Sequence, residues 1–201
     1  KQKDRSRAAT AVTTGDWEIP AFAGMTPSTE TAFVGYDELS ATSRILRYRK
    51  VSGKGGDQFQ IVLDRTPFYA EGGGQVGDTG WLVNGDEKVE VIDTKRENQL
   101  IVHFTKSLPK DVAASFTAEV DGSRRALTQR NHTATHLLHH VLRKHLGTHV
   151  EQKGSLVAPD RLRFDISHFA KVTAEELAII ERDVNAMITD DLVFEDKRNV
   201  P

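Results

Sequence analysis

At residues 121–147 the chain reads DGSRRALTQRNHTATHLLHHVLRKHLG, and here the spacing of its apolar side chains changes from two residues to about 3.6. At about 100° per residue, one helix face would collect Ala134, Leu137, Leu138, Val141, Leu142 and His145. Asp121 can cap the first turn, and Gly147 is a typical C-terminal stop. The segment therefore predicts one long amphipathic helix, with His145 as a core residue.

Short strands are predicted upstream of this helix. Apolar stretches alternate there with turn residues, at 44–51, 58–63, 80–83, 89–92, 100–104 and 115–120. Asn84-Gly85-Asp86, between two of these stretches, is typical of a β-hairpin turn. Several short strands at this spacing favour a small β-barrel, which we assign to residues 31–121.

A second unit is predicted after the helix begins, at residues 122–201. Two alternating segments, 150–156 and 161–166, flank the turn Pro159-Asp160 and predict a hairpin. Thr173-Ala174-Glu175-Glu176 predicts a capping box that opens another helix. That helix would turn the following side chains inward: Leu177, Ile180, Val184 and Met187 or Ile188.

The rest of the chain completes the predicted organisation. Residues 1–30 show no periodicity and carry two Gly and two Pro between positions 15 and 27, so we interpret them as a poorly ordered linker or insertion. A last strand is expected at 192–195. The predicted fold class is α+β: a small β-barrel followed by an α/β domain with a mostly antiparallel sheet and packed helices.

The composition excludes several kinds of site. The 201 residues include no cysteine, so a disulfide, a thiol nucleophile and a thiolate metal ligand are excluded, and a metal would need His, Asp or Glu. No apolar run approaches the roughly 20 residues of a membrane span, so we expect a soluble, cytoplasmic protein without a membrane partner.

The charge balance does not by itself indicate binding to nucleic acid. Lys plus Arg number 27 and Asp plus Glu number 29, which gives a formal charge of -2. A local basic patch could still contact phosphate groups, and its candidates are Arg124, Arg125, Arg130, Arg143, Lys144, Lys153, Arg161 and Arg163.

Histidines are concentrated on the predicted helix: six of the eight lie between His132 and His149. His132 and His136 are four residues apart, which is about 40° on a helix, so their imidazoles can converge on one metal ion. An ordinary solvated helix face would show the same pattern. Because residue 133 is threonine and not glutamate, the pair is not the HExxH motif of metalloproteases.

A glycine-rich segment lies among the predicted strands. Residues 65–80 read RTPFYAEGGGQVGDTG, and its glycines permit positive φ angles and close backbone approach to a ligand. The same run also suits a tight turn of a barrel. Gly154, in the later hairpin, predicts either a close approach or a β-bulge.

Three segments together resemble the editing region of bacterial alanyl-tRNA synthetases and, more loosely, the freestanding alanyl-tRNA deacylases. They are DRTPFYAEGGGQVGD at 64–78, RNHTATHLLHHVLRKHLGTHVEQKGSLV at 130–157 and RLRFDISH at 161–168. The resemblance covers roughly residues 33–200. It implies hydrolysis of tRNA(Ala) mischarged with serine or glycine, with the tRNA(Ala) acceptor end and the rest of the synthetase as partners.

The resemblance also implies roles for individual residues. His132 and His136 would be zinc ligands, which that family completes with a later CxxxH segment; this chain ends before that segment. Thr135 corresponds to a threonine that helps to reject alanine, and Gln152 to a glutamine of the same pocket. The motif Gly73-Gly74-Gln75 would help to shape the site. We therefore expect a fragment, truncated within the editing domain, that offers zinc only two protein ligands.

Other functions are compatible with parts of this pattern. The chain could be a non-catalytic tRNA-binding remnant of a synthetase, or a freestanding trans-editing deacylase. Gly73-Gly74-Gln75 also occurs in peptide release factors, but the acidic neighbours Glu71 and Asp78 and the downstream HTATH argue against that function. A generic zinc hydrolase would lack a glutamate general base at the motif position and would leave the other matches unexplained.

Overall fold

A computed structural model describes residues 13–21, 30–53 and 56–190. The strands are β1 (Thr13–Thr14), β2 (Ala32–Phe33), β3 (Ser40–Gly53), β4 (Gly56–Leu63), β5 (Arg65–Thr66), β6 (Gly80–Asn84), β7 (Glu87–Glu97), β8 (Leu100–Thr105), β9 (Ser115–Val120), β10 (Glu151–Val157) and β11 (Leu162–Ser167). The helices are α1 (Gly122–Leu146) and α2 (Ala174–Thr189). The chain divides into two compact units, Lys1–Ala126 and Leu127–Pro201. The strand expected at 192–195 lies outside the described residues.

The first unit is built on one antiparallel sheet with the strand order β1-β3-β4-β8-β7-β6-β9. The 14-residue strand β3 has two long partners, because Ser40–Arg44 pairs with β9 and Ile45–Gly53 pairs with β4. The pairing order therefore returns from β9 to β3. All six predicted strands are present, and the core between them includes Ile45, Ile61, Leu63, Phe68, Leu82, Val91 and Phe116.

Part of the N-terminal segment is attached to this sheet. Strand β1 pairs with the end of β3, and the guanidinium of Arg49 lies over the Trp17 ring, 4.2 Å from its centroid. Residues 13–21 are thus paired and packed, whereas residues 1–12 and 22–29 lie outside the described part of the chain. The assignment of residues 1–30 as a linker or insertion stays a prediction.

Helix α1 has the boundaries that its sequence predicts. The side chain of Asp121 accepts a hydrogen bond from the backbone N–H of Arg124 at 3.1 Å and so caps the first turn. At the other end Gly147 has φ 111°, a left-handed conformation that favours glycine. Its N–H donates to the Arg143 carbonyl at 3.1 Å. Local residues therefore set both ends of the helix.

The second unit packs α1, the hairpin β10–β11 and α2 around one core. The buried members are Val141, Leu142, Leu146, Val150 and Ile180, with Phe164 and Ile166 of the hairpin partly buried against them. The predicted capping box opens α2. The Thr173 side chain accepts from the Glu176 N–H at 3.2 Å, and the Glu176 carboxylate accepts from the Thr173 N–H at 2.8 Å.

The inward face of α2 is narrower than predicted. Ile180, Val184 and Met187 contact the core. Leu177 and Ile188 are each 54% exposed, so the prediction that Leu177 faces inward is wrong and Met187, not Ile188, takes the last inward position. The helix lies against α1 and the hairpin along one narrow stripe, and residues at its margin stay in water.

His145 is not the core residue that its place on the apolar stripe predicts. Its Nε2 lies 2.8 Å from the Asp183 carboxylate on α2, at the edge of the core. An imidazole buried among apolar side chains would lose hydrogen bonds to water, whereas this position gives it a charged partner and solvent. The ion-pair partner Asp183 therefore determines the position of His145, against the prediction from helical spacing.

The observed elements confirm the coarse fold class. The strands pair mostly antiparallel, β2 and β5 being the parallel exception within the described residues, and the same residues form two helices. Neither of these helices combines the length and the apolar character that crossing a membrane requires.

Candidate functional site

The two histidines predicted to act together lie side by side on α1. The ring centroids of His132 and His136 are 4.9 Å apart, and the ring planes are inclined by 34°. Residues four apart share one helix face, which explains the approach. His132 is half-buried and His136 is exposed. The pair therefore has the proximity that a shared ligand needs, together with access from solvent.

The surroundings favour the neutral form of His132. Partial burial lowers the pKa of its ring, and the neighbouring His136 lowers this pKa further. Neutral imidazole is the form that binds a metal ion, so the pair fits half of a four-ligand zinc shell. Within 13–21, 30–53 and 56–190, no three His, Asp or Glu side chains gather closely enough to hold a metal ion.

Thr135 lies next to His136 in the sequence but is turned inward. Only 7% of the residue is exposed, and its hydroxyl donates to the Asn131 carbonyl at 2.8 Å, one turn earlier. A threonine hydroxyl has one proton and two lone pairs, so this hydroxyl keeps the ability to accept. This burial distinguishes Thr135 from an ordinary threonine on a helix surface.

Asn131 anchors this turn of α1 to the hairpin loop. Its side-chain amide donates to the Ala158 carbonyl at 2.7 Å. A second approach brings His139 Nε2 to 3.5 Å from the Val150 carbonyl oxygen. The sequence motifs give Asn131 no role. Asparagine is a poor helix former, so its position inside a helix was the signal in the sequence that could have indicated a specific contact.

Gln152 lies on β10, in the hairpin that packs against α1. It is exposed and pairs with Ile166, and the register shifts between Gln152 and Gly154. A Cβ built on Gly154 would lie 2.7 Å from the Asp165 carboxylate. Gly154 thus combines the bulge and the close approach that were predicted as alternatives. The strand that carries Gln152 belongs to the same unit as the histidine pair.

The glycine motif forms a tight turn in the first unit. Gly72 and Gln75 exchange two backbone hydrogen bonds of 3.0 and 3.1 Å, and between them Gly73 and Gly74 have φ 60° and 87°. Two successive positive φ angles are typical of a type I′ turn, which glycine adopts without steric cost. Because the histidine pair belongs to the second unit, a joint role of turn and pair in one site stays a prediction.

Arg125 is buried and already bonded, so the prediction that it contacts phosphate is wrong. Only 7% of the residue is exposed. Its Nε donates to both oxygens of Asp78 at 2.9 and 3.0 Å, and its Nη1 and Nη2 donate to the carbonyls of Gly35 at 2.7 Å and Pro67 at 3.0 Å. The prediction failed because the first turn of the helix is polar in sequence, which is typical of an exposed turn.

Much of the remaining basic patch carries carboxylate partners. Among the described residues 127–190, four basic side chains of the patch form ion pairs with N···O distances from 2.8 to 3.1 Å: Lys144–Asp183, Lys153–Glu151, Arg161–Asp160 and Arg163–Asp165. These carboxylates offset the positive charge of the Lys and Arg side chains that they contact. The patch therefore attracts phosphate less than a count of its basic residues suggests.

Known proteins with similar sequences are alanine–tRNA ligases. Identity is 57% over 202 residues with the enzyme of Christiangramia forsetii, 56% over 201 with that of Parabacteroides distasonis and 54% over 200 with that of Cytophaga hutchinsonii. Each alignment covers all of this chain and, in that order, 23%, 22% and 22% of the relative. The family model described as tRNA synthetases class II (A) matches residues 1–124. The chain belongs to this family.

The chain spans 22–23% of the length of the class II synthetases just named. The resemblance to alanyl-tRNA synthetases, predicted from three segments, is confirmed. The alignments also include residues 1–32, which the motif comparison left out. The family model ends at residue 124, before the histidine pair, so similarity in the second unit rests on the alanine–tRNA ligases.

Proposed function

We propose that this chain carries an editing site that hydrolyses the ester bond of tRNA(Ala) mischarged with serine or glycine. One arrangement supports the proposal most: the adjacent imidazoles of His132 and His136 lie on the same turn of α1 as the buried hydroxyl of Thr135. This arrangement occurs in a chain that matches alanine–tRNA ligases over its whole length. The substrate would be the acceptor end of tRNA(Ala), and the rest of a synthetase would be the partner.

His132 and His136 would hold a zinc ion through one ring nitrogen of each imidazole. Bound zinc supplies Lewis acidity and can bring the pKa of its water to about 7. Burial lowers the pKa of His132 and so favours the form that binds metal, and His136 is exposed on the side where a large substrate would approach. Two protein ligands hold a metal less firmly than the usual three or four, so slow hydrolysis is expected.

Thr135 would contact the side-chain hydroxyl of the serine substrate, whereas the glycine substrate has no hydroxyl for this contact. Its own proton is used in the hydrogen bond to the Asn131 carbonyl, so a ligand that reached this buried oxygen would meet only its lone pairs. The serine hydroxyl can donate to that oxygen, whereas alanine would leave it without the contact. The exposed amide of Gln152 would add a polar contact.

Deacylation of Ser-tRNA(Ala) by the 201-residue chain, with and without added zinc, tests the proposal. We expect slow, zinc-dependent hydrolysis that falls about tenfold or more in His136→Ala, because precise positioning is lost. His140→Ala is the matched control, since His140 is another exposed histidine of α1. Equal hydrolysis by the wild type and His136→Ala would contradict the proposal. Binding of tRNA(Ala) without hydrolysis would favour the non-catalytic remnant.

The pairing of β3 with both β4 and β9 supports a finer description of the first unit. We propose that β3, β4, β8, β7, β6 and β9 form a small closed barrel. Closure would remove the exposed edges that an open sheet presents to other chains.

A further inference from the structure

Three aromatic rings gather at one end of the β10–β11 hairpin. The ring centroids of His149 and His168 are 5.1 Å apart with the planes inclined by 18°, and Phe169 lies 4.6 Å from His149 and 4.9 Å from His168, each at 30°. The Nε2 of His149 is 2.9 Å from the Nδ1 of His168, so one imidazole donates to the other. We call this nearly parallel group the ring cluster.

The hairpin register explains why the ring cluster forms. Glu151 pairs with Ser167 at the end of the ladder, so the residues just before β10 and just after β11 begin side by side. The Ser167 hydroxyl oxygen accepts from the Glu151 N–H at 3.2 Å at the same end. A Cβ at Gly147 would lie 2.9 Å from the Nδ1 of His149, so glycine makes room for that ring. Backbone geometry thus holds the three rings together.

The ring cluster is open to solvent on its Phe169 side. Phe169 is 85% exposed, more than any other large apolar side chain in the described part of the chain. Placing apolar surface in water is unfavourable, and this ring lies outside the core of the second unit. A phenyl ring held against two imidazoles with its other face in water offers a flat π surface to a flat ligand.

We propose that the ring cluster of His149, His168 and Phe169 stacks on an unpaired nucleobase of an RNA partner. The proposal rests on the proposed function, because the acceptor end of a tRNA is single-stranded. Unpaired bases stack on Phe and His side chains whatever their identity, since every base has a π face. The exposed Lys171, two residues after Phe169, supplies positive charge for an adjacent phosphate.

An RNA hairpin with an unpaired 3′ tail tests the proposal. The tail carries 2-aminopurine at each of its positions in turn, and the fluorescence of this base is quenched when it stacks. We expect quenching at one tail position on titration with the 201-residue chain, and a Kd about tenfold higher for Phe169→Ala. Phe169→Trp should retain quenching and affinity. Leu177→Ala, which removes another exposed apolar side chain of the same unit, should leave the Kd unchanged.

A second hairpin, without a base at the quenched position, separates stacking from other contacts. The wild type and Phe169→Ala should bind it equally, each about tenfold more weakly than the wild type binds the complete hairpin. The proposal is overturned if Phe169→Ala weakens both hairpins alike, if no tail position is quenched, or if the wild type binds neither hairpin. Deacylation of Ser-tRNA(Ala), measured with the same protein preparations, tests the editing site separately. Stacking without hydrolysis would support the ring cluster as a base-binding site and would contradict the editing function.

Discussion

The carboxylate of Asp78 accepts hydrogen bonds from both Nε and Nη2 of Arg125, although 47 residues separate the two in the chain. Both side chains are buried. Asp78 follows the glycine turn, and Arg125 lies in the first turn of α1. Because the same guanidinium also bonds the carbonyls of Gly35 and Pro67, it joins four segments of the first unit at one point.

Removing this arginine should destabilise the chain strongly. Arg125→Leu leaves the Asp78 carboxylate buried without its partner, and we expect the free energy of unfolding to fall by about 3–5 kcal/mol. Urea denaturation measures the change. Arg163→Leu is the control, because the pair Arg163–Asp165 is exposed and should contribute only about 0–1 kcal/mol. A similar small loss for Arg125→Leu would contradict the prediction.

His103 is buried as a neutral imidazole. Its Nδ1 lies 3.0 Å from the Ile61 carbonyl oxygen, which can only accept, so Nδ1 carries the proton. Its Nε2 then accepts from the Thr66 hydroxyl at 2.7 Å. Burial lowers the pKa of His103 from 6.5 to about 4, against a smaller opposite effect of the bond to Ile61.

The protein should therefore lose stability as the pH falls from 6.5 towards about 4. Above this window His103 is neutral in both the folded and the unfolded state, and inside it the unfolded chain takes up the proton first. Between about pH 7.5 and 4.5 the wild type should lose about 2–3 kcal/mol more than His103→Gln. Chemical denaturation of both proteins at the two pH values measures this, and equal losses would show that His103 is not the titrating group.

The glycine turn gives a test of backbone strain with an internal control. Gly73 has φ 60°, and a Cβ built on it has no other atom within 4 Å. Gly73→Ala therefore causes no clash, and it should lower the free energy of unfolding by about 1–2 kcal/mol through backbone conformation alone. Gly73→Asn should cost less, because asparagine tolerates this conformation better. Gly72→Ala, where a Cβ would make only ordinary 3.7 Å contacts, should be nearly neutral. Thermal unfolding ranks the three variants, and a neutral Gly73→Ala would contradict the turn geometry.

Zinc binding should be weak and should depend on His136. Two imidazoles supply half of a tetrahedral protein shell, with water completing it. Calorimetric titration of the wild type should detect weak binding that disappears in His136→Ala and persists in His140→Ala. Tight binding that survives His136→Ala would remove both His132 and His136 from the metal site.

Local patterns predicted the elements well because local residues determine them. Asp121 and Gly147 set the ends of α1 through their own hydrogen bonds and backbone angles, and Thr173 and Glu176 start α2 in the same way. The approach of His132 to His136 is also local, since it follows from helical spacing alone.

Contacts between distant segments could not be predicted in this way. Arg125 occupies a polar helix turn, and only the folded sheet brings Asp78 to it. His145 lies on the apolar stripe by angle, yet Asp183 of a separate helix draws it to the edge of the core. Helical periodicity indicates the helix face on which a residue lies, but it does not indicate which residues of other segments contact that face.

The two halves of β3 acquire their partners at different times during synthesis. Gly53 pairs with Gly56, which follows it closely in the chain, whereas Ser40 pairs with Glu119, far later in the chain. On the ribosome the first half of β3 therefore waits with unpaired backbone groups until residues 115–120 emerge, and it stays open to pairing with other nascent chains in that interval. Because β3 and β9 are far apart in the chain, their pairing should be a late and slow step in folding.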